Sequence, residues 1–513
     1  MLKAKNVGEF FKKIPVGYYV VFALLLFYTL GGIHNYHEWN TYKKIIAVIG
    51  MGGIAMFVSI YYLIREKKAE LFKVYLPLGF IFGLIMMLLI PVYCVPDEHN
   101  HLYKAYDMSN AMLGIESDVN AVTMRKDDAK FPLRTEYKAR NKYEDYFSSL
   151  KDSLKDGTMV KTKNEGYDAL GYQYFLPAVG ITLGRLLGLG SGVTFLLGRL
   201  MNLILYTALV ALAIKIIPKG KMILFAVALL PMSLQEAASF SFDAMVNGTA
   251  AVIIAITVKL LLSDVSEMKK YEWFLYAICC VLLMSTKHYA NVPIALLPLA
   301  VLPKVWKNDK ETTKKILVIL TITVLSAVIL YVYKSIVNPT DPLSGDTGVI
   351  SGGNDLYTIG YLLHNPRKII EIIWRTFNGM FSFHLMSMIG EYLGWFNITI
   401  PSVFTYAWIL LLVCSALAVK DEELKFPKKT FGVLMALTFL TFAFVNGGML
   451  LITPITSNVI FGVQGRYYLV FLPLFLFILK FAPVKLTKNL DEKLILLMYI
   501  CNLTIMFEIL YRL

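Results

Sequence analysis

The sequence predicts an all-α integral membrane protein with roughly thirteen crossings. Its 513 residues are 57% hydrophobic and only 17% charged, where soluble domains carry about 25% charged residues. Apolar runs of bilayer length recur along the chain, and the basic residues fall in short clusters between them. The net charge of +14 therefore suits loops beside an anionic inner leaflet. With no basic, aromatic-interleaved module, it does not point to nucleic acid. Cys94, Cys279, Cys280, Cys414 and Cys501 are odd in number and lack CxxC spacing, which argues against both a disulfide framework and a zinc site.

Taken in order, the elements thread as follows. Lys3, Lys5, Lys12 and Lys13 precede an apolar run from Val16 to Ile33, long for a signal-peptide core and without a small-residue cleavage site, hence a retained anchor. The basic N-terminus belongs in the cytoplasm, so spans at about 15–33 and 45–64 cross out and back. These form a two-span extension, residues 1–73, closed by Arg65, Lys67, Lys68 and Lys73. A third span at about 74–94 then delivers Asp97 and Glu98 to the outer face.

The polar stretch 95–170 reads as an external region. The run at 172–187 is interrupted by Pro177, Arg185 and several glycines, and reading it as a span would put Lys215, Lys219 and Lys221 outside. An interfacial helix there, followed by an inward span at about 199–217, removes the conflict. Further spans fall at about 222–239, 245–262, 273–287, 288–303 and 316–334. A second external region, 335–400, holds the Gly/Asp/Asn-rich stretch Asp341 to Asp355 and an interfacial helix within 366–395. Spans at about 401–419, 430–448 and 467–482 complete a core of residues 74–482, and 483–513 carries one more at about 494–511.

Polar residues gather at one face of this threading. Cys94-Val95-Pro96-Asp97-Glu98-His99-Asn100-His101 follows directly on an apolar run. Asp243 falls at an outer turn, Lys287 and His288 at the next, and Gln464-Gly465-Arg466-Tyr467-Tyr468 at the outer start of a span. Ionisable groups beside spans are costly, so function is the default reading; the plainer alternatives are a helix simply leaving the lipid and lysines or arginines snorkelling to headgroups. Acids and cations together suit sugar transfer from a lipid phosphate. One carboxylate takes the acceptor hydroxyl proton, and cations or a metal steady the departing phosphate. Asp97 is the expected base. Glu98 is expected to orient it or to hold a divalent cation, magnesium or manganese. Arg466, with a planar fork, is expected on the donor phosphate, and Gly462 and Gly465 on a close backbone approach to it. No nucleotide-binding fingerprint is present.

Pro96-Asp97-Glu98-x-x-His101-x-x-Lys104-Ala105-Tyr106 resembles the signature of an uncharacterised bacterial family of multispanning membrane proteins. Leu230-Pro231-Met232, Ser239-x-Ser241-x-Asp243-Ala244, Leu393-Gly394-Trp395 and Gly462-Val463-Gln464-Gly465-Arg466-Tyr467 are similar to the same family over about residues 74–482. That family resembles the GT-C superfamily of glycosyltransferases, whose members use polyprenyl-phosphate sugars and keep an acidic pair in the first large external loop. The resemblance implies catalytic Asp97 and Glu98, with His101, Lys104, Asp243, Lys287, Gln464, Arg466 and Tyr467 around substrate and phosphate. Lys104 stands where the family usually has arginine, and lacks its bidentate grip. Three spans precede the acidic motif where GT-C enzymes usually have one, a difference that preserves sidedness.

The expected function is transfer of a sugar from a polyprenyl-phosphate donor to a cell-envelope glycan or glycolipid at the outer face of the cell membrane. Membrane lipids are the surroundings, and nucleic acid is not a partner. A transporter or flippase of lipid-linked saccharides and a non-catalytic envelope-assembly protein are the alternatives. The transporter would place polar groups at mid-membrane on broken helices.

Overall fold

A computed structural model describes residues 39–116, 121–131, 139–163, 171–284, 286, 290–337, 356–418, 428–479, 486 and 490–513. It is an all-α membrane protein: among the described residues, seven helices are long and apolar enough to cross a membrane. The span expected at 15–33 and the 341–355 stretch lie outside the described residues.

Helices α1 (Trp39–Tyr61) and α2 (Leu71–Leu89) are joined by a tight π-helical turn and a short loop. Helix α3 (Glu98–Met112) opens the polar region that follows α2, where strands β1 (Ala121–Arg125) and β2 (Met159–Lys163) pair antiparallel around helix α4 (Ala139–Ser149). Helix α5 (Phe175–Leu186) returns to the bundle. It is too short to span, as the interrupted sequence there anticipates, and it leaves Phe175, Leu183 and Leu186 exposed.

Helix α6 (Ser191–Ile216) is the central strut, packed on α2, on α5 and on α9 (Asp243–Leu262). The single span expected at 222–239 is instead two short helices, α7 (Lys221–Ala228) and α8 (Pro231–Ala237). Pro231 cannot continue the helical ladder, so the chain turns at Leu229 and Leu230. The Leu229 carbonyl that the break frees accepts from Asn502 Nδ2 at 2.8 Å. Helix α10 (Lys270–Met284) follows, and the expected 288–303 span is likewise broken into short turns around Pro293, Pro298 and Pro303.

Helix α11 (Lys310–Val337) turns Ile322, Leu325 and Ile329 outward, a face that only lipid suits. Helix α12 (Pro366–Ile389) lies outside the set of spanning helices. It exposes Ile370, Trp374 and Phe381 beside Arg367 and Arg375, an interfacial pattern. A tight hairpin follows, β3 (Tyr392–Leu393) with β4 (Ile398–Thr399). Helices α13 (Ser402–Leu417), α14 (Lys428–Leu450), α15 (Leu472–Leu479) and α16 (Asp491–Arg512) complete the bundle. The span expected at 467–482 is the eight-residue α15 preceded by a 3-10 turn, Gly465–Tyr468.

The two ends of the bundle differ in charge. At one end, Lys215 of α6 lies over the Phe72 ring of α2. There too, Lys259 of α9 is ion-paired with Glu272 at 2.8 Å and Lys304 caps the Leu260 and Ser263 carbonyls. The other end gathers the last turn of α2, the first half of α6, the start of α9 and the β1–β2 region. The candidate site is there.

Candidate functional site

Adjacent residues of the acidic motif enter different surroundings. After α2 the chain runs irregularly through Ile90–Val95, with Tyr93 (φ 71°) and Asp97 (φ 62°) both in the left-handed region. Aspartate tolerates that conformation better than a bulky residue does, and a left-handed tyrosine carries real strain. The double reversal turns Glu98 inward and Asp97 outward.

Glu98 is fully buried. Its Oε1 accepts from Arg199 Nε at 2.8 Å and from the Phe240 N–H at 3.1 Å. Its Oε2 accepts from Arg199 Nη2 at 2.7 Å and from the Tyr93 N–H at 2.9 Å. Arg199, on α6, also donates to the Ile90 and Pro91 carbonyls at 2.6 and 2.9 Å. This is a structural clamp that ties the end of α2 to α6 and to the 239–241 loop. Three residues on, Asn202 donates to the Ser239 and Ser241 carbonyls at 2.8 and 2.7 Å.

Glu98, expected as a catalytic or metal-binding group, is here the buried ion-pair partner of Arg199. Both oxygens are committed to four donors, two of them on a guanidinium that would repel a cation. Among the described residues no three His, Cys, Asp or Glu side chains converge as metal ligands. Held this way, Glu98 has no free oxygen to offer a divalent cation.

Asp97 meets a second arginine. Arg466, 4% exposed, sits in the 3-10 turn before α15 and donates through Nη2 to Asp97 Oδ2 at 2.9 Å. Its Nη1 reaches the Pro96 carbonyl at 3.3 Å and both Glu236 oxygens at 3.3 and 3.4 Å. Nε lies 3.9 Å from Asp243 Oδ2. Burial alone would weaken this cation's charge. Glu236, Tyr467, Asp243 and Asp97 outweigh it and hold the guanidinium proton well above its ordinary affinity. Glu236 and Asp243 are buried, whereas the Asp97 side chain is 44% exposed, so the cluster meets its surroundings at Asp97.

Arg466, expected on a donor phosphate, faces acids in this arrangement. Nη1 and Nη2 are turned to the Pro96 carbonyl, Glu236 and Asp97, while the buried Nε makes no hydrogen bond and has Asp243 3.9 Å away. The close approach that Gly465 permits is to α12. A Cβ there would collide with the His384 carbonyl and the Met388 nitrogen, and its N–H donates to Ser387 Oγ at 3.2 Å.

Of the other expected residues, Asp243 and Tyr467 join the cluster, the Tyr467 ring lying 5.4 Å from the guanidinium. Gln464 borders a narrow cleft with Pro96, Gln235, Glu236, Phe396 and Arg466, and its buried Oε1 accepts no hydrogen bond. His101 is not brought in. It hydrogen-bonds Tyr174 at 2.7 Å and packs edge-on against Phe242, so its role is to seat α3. Lys104 is half-buried on α3, two turns along the face that Asp97 begins. Lys287 lies outside the described residues.

Sequence reasoning missed Arg199, Gln235 and Glu236. The available signal was their cost: an arginine inside an apolar stretch, and an acid where a single span was expected, each need a partner. Gln235 Oε1 accepts the Gly394 N–H at 2.7 Å, which ties the β3–β4 hairpin to α8. At the hairpin tip Trp395 stacks on His99, ring centres 6.0 Å apart and planes 20° from parallel.

A second polar knot holds the β1–β2 region to the bundle. Arg125 pairs bidentately with Asp128 at 2.7 and 3.0 Å and donates to Thr194 of α6 at 3.0 Å. Tyr106 and Ser191 also donate to Asp128, each at 2.7 Å. Burial, reinforced by Asp128, pushes the Tyr106 phenol up.

No curated protein and no solved structure matches the chain. A family model does match, over residues 80–478, and so takes in the acidic motif, the Arg199 clamp, Glu236, Asp243, the hairpin and Arg466. The chain belongs to the family described as "Predicted membrane protein (DUF2142)".

Proposed function

We propose that the protein is a membrane glycosyltransferase that moves a sugar from a polyprenyl-phosphate donor to a cell-envelope glycan or glycolipid at the outer face of the membrane. One observation carries the reading: Asp97 alone among the clustered carboxylates is half exposed, and a buried guanidinium holds it at 2.9 Å. An acid fixed in orientation yet open to solvent at a bundle end is what deprotonation of an acceptor hydroxyl requires. The resemblance to GT-C enzymes of the family whose signature the acidic motif is similar to supports the same reading.

In this mechanism the acceptor oxygen attacks the anomeric carbon and its proton passes to Asp97. The bond from that carbon to the phosphate oxygen breaks, and the electron pair leaves with the polyprenyl phosphate. Arg466 is a positioning residue that fixes Asp97, and Glu236 and Asp243 fix Arg466. Lys104 supplies the cation facing the phosphate. No step passes through a metal.

The break between α7 and α8 favours a second reading, transport of an intact lipid-linked saccharide, because discontinuous helices line transport pathways. Proteoliposomes holding a labelled polyprenyl-phosphate hexose and extracted envelope glycan separate the two. Release of free polyprenyl phosphate with sugar on the acceptor is expected; movement of intact donor across the bilayer without cleavage would replace transfer by transport. Sidedness is tested by labelling Ser153→Cys, an exposed site, with an impermeant maleimide. Native Cys94, Cys279, Cys280 and Cys501 are buried. Labelling in intact cells is expected, and labelling only after the membrane is opened would put the site on the cytoplasmic face.

A further inference from the structure

Arg185 interrupts the apolar sequence of α5, and its guanidinium is held in place while one of its edges stays unused. The Nη1 group donates to Ser109 Oγ and Asn110 Oδ1 of α3, each at 2.9 Å. The guanidinium also lies over the Tyr106 ring, 4.5 Å from its centre, a contact that fixes the plane of the cation. Thr182, one turn back on α5, donates to the same Ser109 Oγ at 2.8 Å. These contacts occupy Nη1 alone, and none of them brings a negative charge. The acid whose charge reaches Arg185 is Asp128, and its oxygens are already taken by Arg125, Tyr106 and Ser191.

Two other arginines at this end of the bundle show what the remaining edge does when it is used. Arg199 grips Glu98 through Nε and Nη2 at 2.8 and 2.7 Å. Arg125 grips Asp128 through the same two nitrogens at 2.7 and 3.0 Å. That edge presents two parallel N–H groups, which match a pair of oxygens on a carboxylate or a phosphate. On Arg185 no group among the described residues takes it. The side chain is half-buried, and a partly desolvated cation without a counter-ion is costly. An anion from outside the chain offsets that cost.

The surroundings point to the source of the anion. Gly180 and Gly184 press α5 onto α6, where an added Cβ would meet the Leu197 carbonyl or Thr194. The opposite edge leaves Leu183, Leu186 and the capping Leu187 exposed. Helix α6 runs unbroken from that level to Lys215. From Thr194 to Lys215 is about 32 Å at 1.5 Å per residue, close to the hydrocarbon thickness of about 30 Å. With Lys215 at one boundary, Arg185 stands at the other, at headgroup depth, beside leucines that suit acyl chains. Ser109, which orients the guanidinium, is about 18 Å along α3 from Asp97 at the same rise. One sugar phosphate cannot reach both.

We propose that Arg185 is the seat of an anionic phospholipid, with its Nε–Nη2 edge on the phosphate and Leu183, Leu186 and Leu187 against the acyl chains. The lipid fastens α5 to the end of α3 in the headgroup layer. The seat is separate from the Asp97 cluster and does not depend on the reaction performed there.

Native mass spectrometry of the full-length protein in detergent tests it, with phosphatidylglycerol, phosphatidylcholine and a polyprenyl phosphate titrated singly and in pairs. Wild type is expected to hold one phosphatidylglycerol about tenfold more tightly than phosphatidylcholine, whose headgroup carries its own cation. Arg185→Gln should abolish that preference. Arg185→Lys keeps the charge without the fork and should lose most of it. Arg367→Gln, at an exposed arginine of α12, should leave it unchanged. Thermal midpoints in the same detergent show which variants are folded; if Arg185→Gln is not, Arg185→Lys decides alone. Wild type without the preference, or a preference that survives Arg185→Gln, overturns the seat. A preference kept in full by Arg185→Lys also overturns it, because a snorkelling cation then suffices. Displacement of phosphatidylglycerol from Arg185 by an equal amount of polyprenyl phosphate overturns the bilayer lipid as occupant and gives the seat to the carrier.

Discussion

Arg199 and Arg466 are two buried arginines, each paired with one of two consecutive acids, and they are built for different tasks. Around Arg199 the charges balance one to one, Glu98 against the guanidinium. Every guanidinium nitrogen has an acceptor within 2.6–2.9 Å, and nothing is exposed. Around Arg466 three carboxylates compete for one cation, the contacts stretch from 2.9 to 3.9 Å, and Asp97 opens outward. A balanced, saturated pair has nothing left to offer a ligand, and its value lies in joining elements. An unbalanced pair with one exposed partner can hand that partner to a reaction. The difference is that the Arg199 pair is closed and balanced, while the Arg466 cluster carries an excess of one sign with an outlet at Asp97.

Four substitutions test this contrast, beginning with the clamp. Glu98→Gln leaves the Arg199 charge buried without its counter-ion, at an expected cost of about 3–5 kcal/mol. The measurement is the thermal midpoint of the purified protein, and wild-type stability would mean the clamp holds nothing. Asp97→Asn should behave in the opposite way. The fold should stay within about 1 kcal/mol, because the carboxylate is half exposed, while sugar transfer in proteoliposomes falls about 10²–10⁴-fold. Near-normal turnover would remove Asp97 as the base.

Gly465→Ala sharpens the comparison by moving Arg466 without changing its charge. The added methyl meets the backbone of α12, so a loss of about 1–3 kcal/mol is expected, with transfer reduced as the guanidinium shifts from Asp97. Full activity would show that the placement of Arg466 is not critical. The smallest effect belongs to Glu236→Gln. Its contacts to Arg466 are long, and two acids remain to hold the cation, so stability should change by about 1 kcal/mol or less and transfer by less than about tenfold. A destabilisation as deep as that of Glu98→Gln would make both arginines clamps and erase the distinction.

Hydropathy and interruption made much of the fold legible. Helices α2, α6, α9, α11, α14 and α16 fall where the apolar runs predict spans, since a helix in lipid satisfies its backbone internally and needs little from its neighbours. The short helix at 175–186 was legible for the same reason, through its proline, glycines and arginine. The break at Leu229–Pro231 was not. Its apolar run has the length of a span, and its freed carbonyl is answered by Asn502, 273 residues away. The candidate site divides likewise. Asp97, Asp243, Gln464, Arg466 and Tyr467 stood out as polar groups at the ends of apolar runs, and they do assemble.

By itself the sequence determined that the chain is a helical membrane protein and that its costly polar groups gather toward one end, because transfer of side chains to lipid is a local property of composition. Only the tertiary structure decided which acid does what. Glu98 is claimed by an arginine 101 residues on and Asp97 by one 369 residues on, and a left-handed turn at Asp97 sends the two side chains apart. Two neighbouring carboxylates have the same chemistry in a sequence; the partners that long-range packing brings to each enclose one in a clamp and leave the other ion-paired but half exposed.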